Sequence, residues 1–107
     1  MSSATHYLAD VLKSLAQPTR LKIIDFLRNG ERCVCEIFPA IDEEQSNTSR
    51  HLSHMQTHGI LSRRKDGVKI YYAVKHPEVF EIIDRAEGIV KREIELRTGV
   101  IKEAQRG

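Results

Sequence analysis

No apolar run in the chain approaches the roughly 18 residues that a membrane-spanning helix needs, so no membrane partner is expected. The opening stretch MSSATHYLADVLKSLAQ holds neither a basic leader nor an apolar signal core, which points to a cytoplasmic protein in a reducing compartment. Cysteine is scarce: Cys33 and Cys35 are the only two among 107 residues. In a reducing compartment so close a pair is more often a metal or redox site than a structural disulfide. No glycine-rich loop is present to cradle a phosphate, and no nucleophile, base and orienting group form a recognisable set. A small chain of this kind also leaves little room for an active-site cleft. An enzyme is therefore the least expected class, and no motif supports a cysteine hydrolase built on Cys33 or Cys35 with a histidine. Repeats, linkers and low-complexity segments are missing too, so residues 1–107 read as one domain.

What is present is an ordinary globular composition, 40% hydrophobic and 30% charged, with an uneven distribution of charge. Residues 1–44 carry five Lys/Arg against seven Asp/Glu, and residues 76–107 carry six against seven. Between them, residues 45–75 carry six basic residues against Asp66 alone, a local net charge of +5. Positive charge gathered in the middle third fits a polyanion-binding face.

Periodicity organises the same chain. A first helix is predicted over Thr5–Leu15, with Leu8, Val11, Leu12 and Leu15 on one face. A second begins at Pro18, carries Leu21, Ile24 and Leu27 as its stripe, and ends at Asn29-Gly30. A short third helix covers Arg32–Ala40, with Val34, Ile37 and Ile41 inward. The fourth, residues 45–58, is poor in large apolar residues. Leu52, Met55 and Thr48 face the core, leaving Gln45, Ser46, Asn47, Ser49, Arg50, His51 and His54 exposed, and Gly59 stops it. The period then changes from 3.6 to 2, and residues 60–74 read as two strands turning at Asp66-Gly67. A long last helix starts near Pro77. Residues 76–97 carry a wide apolar stripe from Val79 to Ile94, and Thr98-Gly99 is expected to end or fray it. That stripe and the first helix, residues 5–15, form a candidate surface for a two-fold homodimer.

The fold class is thus mainly α with a β-hairpin wing, a winged helix-turn-helix. A helix with a polar, small-residue N-terminal half can enter a major groove about 12 Å wide. Its candidates for contacting operator DNA are Gln45, Ser46, Asn47, Ser49, Arg50 and His51. Serines bond phosphates or base edges, Gln and Asn suit adenine, and Arg suits guanine. The wing adds Arg63, Arg64, Lys65 and Lys69, spaced to follow a phosphate backbone or enter a minor groove. A winged-helix module that binds protein instead would need neither the basic wing nor the polar helix.

The stretches LAQPTRLKIIDFLRNGERCVCEIFPAID and QSNTSRHLSHMQTHGILSRRKDGVKIYYAV resemble the ArsR/SmtB family of metal-responsive repressors, over roughly residues 6–97. Pro18-Thr19-Arg20, CVCE and QSNTSRHL carry the match. The resemblance implies a homodimer held by its first and last helices. Such a dimer binds double-stranded operator DNA with no cofactor and releases it when a metal or metalloid binds. Gln17 departs from the Asp often found before the proline, so weaker capping of the second helix is expected. In the arsenic-responsive branch the third-helix motif is C-V-C-[DE]-x-C, whose thiols bind arsenite or antimonite. Cys33, Cys35 and Glu36 match it, but Phe38 stands where the third thiol would be. The pair alone would then act as metal ligands, with water or a cellular thiol as the third. Other branches hold zinc between paired last helices. Here His76 and Glu78 are present, but Ile89 and Arg92 replace the partner ligands.

Thiolates are soft donors, suited to As(III), Sb(III) and other thiophilic ions, and Arg32 with the helix N-terminus should favour the thiolate form. If both cysteines are helical, about 100° per residue points them some 200° apart. Both sulfurs would then reach one ion only if the first turn of the third helix unwinds, disturbing the reading helix behind it. Two further readings stay open. One is a redox switch, whose tight C-x-C disulfide would also break the helix. The other is a zinc site on the stripe His51, His54 and His58, while His6 reads as a solvated residue.

Overall fold

Gln17, Cys33 and Asp42 are the three positions where local chemistry sets the course of the chain. The computed structural model describes the backbone of residues 2–106 and the side chains of residues 3–99 and 105. Its elements run α1 (Ser2–Leu15), α2 (Pro18–Phe26), β1 (Arg32–Cys33), α3 (Val34–Ala40), α4 (Gln45–Thr57), β2 (Leu61–Asp66), β3 (Lys69–Val74) and α5 (Glu78–Arg106). They fall into two units, Met1–Pro77 and Glu78–Gly107, where the sequence reads as one domain. The second unit is a single helix.

Each helix start has an identifiable cause. Gln17 lies in an extended conformation, and its Oε1 accepts the Arg20 amide at 3.0 Å while Pro18 fills the first helical position. The glutamine therefore does cap α2, in the place where an aspartate is often found. Leu21 is exposed rather than part of the inward stripe, since Ile23, Ile24 and Leu27 fill that side.

At Cys33 the backbone is also extended (φ −69°, ψ 145°). Its Sγ accepts the Cys35 amide at 3.2 Å, and Glu36 Oε1 accepts the Cys33 amide at 3.2 Å. That reciprocal pair is a capping box with cysteine in the usual serine or threonine place. The third helix thus begins at Val34, two residues later than Arg32, because Arg32 and Cys33 pair instead with β3.

Two helix ends repeat one motif. After α4, Gly59 takes φ +77°, its N–H donates to Gln56 O at 3.2 Å, and the Ile60 N–H donates to Met55 O at 2.9 Å. After α3, Asp42 takes φ +56°, its N–H donates to Pro39 O at 3.2 Å, and the Glu43 N–H donates to Phe38 O at 3.0 Å. Both are Schellman endings. The second makes the tight turn between α3 and α4, with aspartate in a left-handed position that glycine usually takes.

The sheet has the order β1-β3-β2, all antiparallel. β1 is an addition to the expected two strands and pairs Arg32 with Tyr72 and Cys33 with Tyr71. Asp66 pairs with Lys69, so the hairpin turns at Gly67-Val68, one residue later than Asp66-Gly67. Gly67 alone has positive φ (+62°) there, the pattern of a II′ turn.

The core of the first unit gathers Leu15, Ile23, Ile24, Leu27, Ile37, Ile41, Leu52, Met55, Ile60, Leu61 and Tyr72. Each fully buried Leu or Ile contributes roughly 1.5–3 kcal/mol, which seats α4 firmly beneath its polar face. α5 continues through Gly99 to Arg106, where an end or fraying at Thr98-Gly99 was expected. One glycine in a helix interior costs only about 1 kcal/mol, and the Lys, Glu, Ala and Gln that follow it are good helix formers. Taken by itself, α5 leaves Ile82, Ile89, Val90, Ile94 and Leu96 exposed. No helix among the described residues is long and apolar enough to cross a membrane.

Candidate nucleic-acid interface and thiol pair

Helical spacing divides α4 into three faces. Thr48, His51, Leu52 and Met55, at i, i+3, i+4 and i+7, are buried. Gln45, Ser49, Ser53 and Gln56 form a polar stripe along a cleft, and Ser46, Asn47 and Arg50 line a separate shallow depression.

His51 belongs to the buried face. It is 7% exposed, and its Nδ1 accepts from Arg20 Nε at 3.1 Å. The expected role in base contact is therefore corrected: the imidazole points into the molecule, tying α4 to α2. The spacing with Thr48, Leu52 and Met55 was the available signal. Burial chiefly, then the charges of Arg20 and Arg50, hold its pKa below the ordinary histidine value.

His54 is half-buried, not exposed as expected. Its Nε2 lies 3.4 Å from Ser14 Oγ, and its ring stacks on His58 at 4.2 Å. Its pKa is likewise lowered, first by burial and then by Arg20. His51 is thus tied to Arg20 while His54 and His58 stack on each other, and among the described residues no three His, Cys, Asp or Glu side chains gather as metal ligands.

Arg20, part of the Pro18-Thr19-Arg20 match but given no role by the sequence, joins α1, α2 and α4. Besides His51 it donates through Nη1 to Ser14 O at 3.3 Å. A second chain of bonds positions the exposed tip of α4. Thr19 Oγ1 donates to Glu43 Oε1 at 3.4 Å, Asn47 Nδ2 to Glu43 Oε2 at 3.0 Å, and Arg50 Nη2 to Asn47 Oδ1 at 2.6 Å. Asn47 and Arg50 are therefore presented as an oriented pair.

The wing splits its cations by strand alternation. Arg63 pairs with Tyr72 and Lys65 with Ile70, which puts them on one face, whereas Arg64 pairs with Tyr71 on the other. Arg64 stacks over the Tyr71 ring at 4.5 Å and grips Glu31 twice, Nη2 to Oε1 at 2.6 Å and Nε to Oε2 at 3.0 Å. The bond from Arg64 holds the Glu31 carboxyl below the usual range. Arg64 thus sits on the sheet face opposite Arg63 with its guanidinium already engaged, unlike the free phosphate contact expected of it. Val68 at the tip is 98% exposed.

Between α4, the head of α3 and the wing lies a cleft of about 540 Å³. α4 contributes Gln45 and Ser49 to its lining, the wing Arg63, Lys69 and Tyr72, and the head of α3 both cysteines. Cys33 is buried and Cys35 exposed, and their sulfurs meet as a disulfide pair. This overturns the opposed-faces expectation. Cys33 precedes the helix, so its extended backbone swings Sγ over the first turn to the side where Cys35 projects. Neither unwinding of α3 for two-sulfur chelation nor breakage of α3 by oxidation is required, since α3 is regular from Val34 with the sulfurs already together. Reduced to thiolates, two sulfurs side by side, one of them open to the cleft, suit a soft thiophilic ion. Phe38 is half-buried on α3.

Known proteins place this architecture. The family model described as bacterial regulatory protein, arsR family, matches residues 17–63. An arsenic resistance transcriptional regulator of Pseudomonas putida is 41% identical over 75 residues, 69% of this chain but 58% of that regulator. The chain thus matches under two-thirds of that relative's length. An arsenical resistance operon repressor of Staphylococcus aureus is 33% identical over 76 residues, 71% of this chain and 73% of the repressor. Among solved structures, the homodimeric winged helix-turn-helix DNA-binding domain of a possible ArsR-family regulator from Mycobacterium bovis superposes with a TM-score of 0.78. It is 26% identical and covers 88% of this chain and 87% of its own. With its helix-turn-helix, basic wing and these relatives, the chain belongs to the ArsR family of bacterial transcriptional regulators.

Proposed function

We propose that the protein is a homodimeric transcriptional repressor that leaves its operator when a thiophilic ion, arsenite or antimonite first among them, binds Cys33 and Cys35. The observation that carries this reading is the shared cleft. The two sulfurs stand in the same concavity as Gln45, Ser49, Arg63 and Lys69, the side chains suited to base edges and phosphates. An ion bound there perturbs the DNA-facing surface directly, with no long path to travel. Ser46, Asn47, Arg50 and Lys65 complete the proposed DNA contacts. The names of the Pseudomonas and Staphylococcus relatives support arsenic as the inducer. Tyr7, Leu8 and Leu12 of α1 and the exposed apolar residues of α5 support dimerisation through both helices.

The test is fluorescence anisotropy of the reduced protein on the duplex upstream of its own gene. Tight binding is expected, with release by arsenite. Indifference to that duplex at low salt would contradict the reading.

The disulfide pair favours a second reading, a thiol redox regulator at the same two residues. Release by peroxide, reversed by a dithiol and unaffected by arsenite, would select it.

A further inference from the structure

A trivalent metalloid bound to Cys33 and Cys35 has one bond left to satisfy. Among the described residues no third ligating side chain joins the pair, and Phe38 occupies the position of the missing thiol. The cleft itself points to what fills the gap. At about 540 Å³ it falls within the roughly 300–1,000 Å³ typical of small-molecule sites. Cys35 gives access from solvent. The same cleft is lined by Arg63 and Lys69, which carry no ion pair among the described residues, whereas Arg32 and Arg64 are both paired with glutamates. Gln45 and Ser49 add hydrogen-bonding groups to the lining.

We infer that the cleft is a subsite for a low-molecular-weight thiol bearing carboxylates, whose sulfur completes the coordination of the ion held by Cys33 and Cys35. The inference rests on the two-thiolate reading above. Its carboxylates meet Arg63 and Lys69 in charge-assisted contacts, while Gln45 and Ser49 bond its amide or amine groups. Two equivalents of the small thiol first reduce the Cys33–Cys35 disulfide, leaving two protein thiols and departing as their own disulfide; capture of the ion is then a ligand exchange without redox change. Arsenous acid, As(OH)₃, exchanges three As–O bonds for three As–S bonds, two to the protein and one to the small thiol. The three thiol protons leave with the three hydroxides as three waters, and arsenic stays trivalent. The bound thiol then occupies the cations that would otherwise neutralise DNA phosphates, so the complete adduct competes with DNA for the same groups.

Native mass spectrometry of the reduced full chain with arsenite tests this. The third partner is either glutathione or its diethyl ester, which keeps the thiol and loses both carboxylates. A complex of protein, arsenic and glutathione in 1:1:1 ratio is expected, with the ester at least roughly tenfold less favoured, the scale of one charge-assisted hydrogen bond. Arg63→Gln and Lys69→Gln should each shrink that preference. Equal occupancy by the ester, an undiminished preference in both variants, or an arsenic complex without thiol would overturn the subsite. Phenylarsine oxide separates the underlying reading, because a carbon already takes its third bond. If it fails to bind the wild-type chain, the two-thiolate site itself is wrong and the subsite falls with it.

Discussion

Replacing Cys33 by serine separates its two duties, capping α3 and supplying sulfur. The cap has two halves. Glu36 Oε1 accepts the backbone amide of residue 33, a bond that survives any non-proline substitution there. The other half is the acceptor at Sγ for the Cys35 amide, 3.2 Å away. Serine keeps an acceptor at that place and alanine does not, and loss of a serine cap to alanine costs about 1 kcal/mol. Cys33 is 4% exposed, so both variants also lose some packing of the sulfur. Cys33→Ser is therefore expected within about 1 kcal/mol of the parent, and Cys33→Ala about 1 kcal/mol below the serine variant. Urea unfolding under reductant reads the stabilities, and anisotropy on the upstream duplex with and without arsenite reads function. Both variants should bind DNA, and neither should release it with arsenite. If alanine matches serine in stability, the capping argument is wrong. If Cys33→Ser still lets go of DNA as the parent does, the thiol pair is not the inducer site.

Other perturbations follow from the same geometry. Thr48 Oγ1 is buried with no hydrogen-bond partner. Thr48→Val should therefore raise unfolding stability by about 1 kcal/mol, and a loss of similar size would show that the hydroxyl is satisfied in solution. On DNA, Arg63→Gln should lower affinity on all sequences and reduce the salt slope by about 1. Arg64→Gln should change it less, because that guanidinium is committed to Glu31; equal slopes would contradict the assignment. His51 and His54 are both held below the ordinary histidine value of about 6.5, so on acidification the unfolded chain takes up protons first. Their contribution to stability is complete above about pH 6.5 and declines as pH falls towards the lower folded-state values. Melting temperatures from about pH 7.5 to 5.5 should show that decline, reduced in His51→Gln; a decline as steep in the variant would remove His51 from the account.

Much of this was legible in the residues because period and punctuation are strong signals. Pro18, Gly59 and the change of period after it mark α2, the end of α4 and the wing. The polar residues of α4 and the concentrated positive charge mark its outward side. What escaped notice depends on contacts that spacing does not encode. β1 is two residues long, and only its pairing with Tyr71 and Tyr72 makes it a strand. That pairing draws Cys33 out of the helix and brings two sulfurs together that a regular helix would hold apart. His51 looked like a reader because it is polar, yet its place between Thr48 and Leu52 on the inner face, with Arg20 as partner, outweighs its polarity. Arg64 looked free until the strand register put Glu31 within reach.

The cleft joins sulfur and the side chains proposed to contact DNA in one place, and reciprocal linkage tests that most directly. Calorimetric titration of arsenite into the reduced protein, alone and saturated with its operator duplex, gives two affinities. If ion and duplex compete across the cleft, saturation with DNA should weaken arsenite binding by the same factor by which arsenite weakens DNA binding. Equal arsenite affinities in the free and DNA-bound protein would contradict the account.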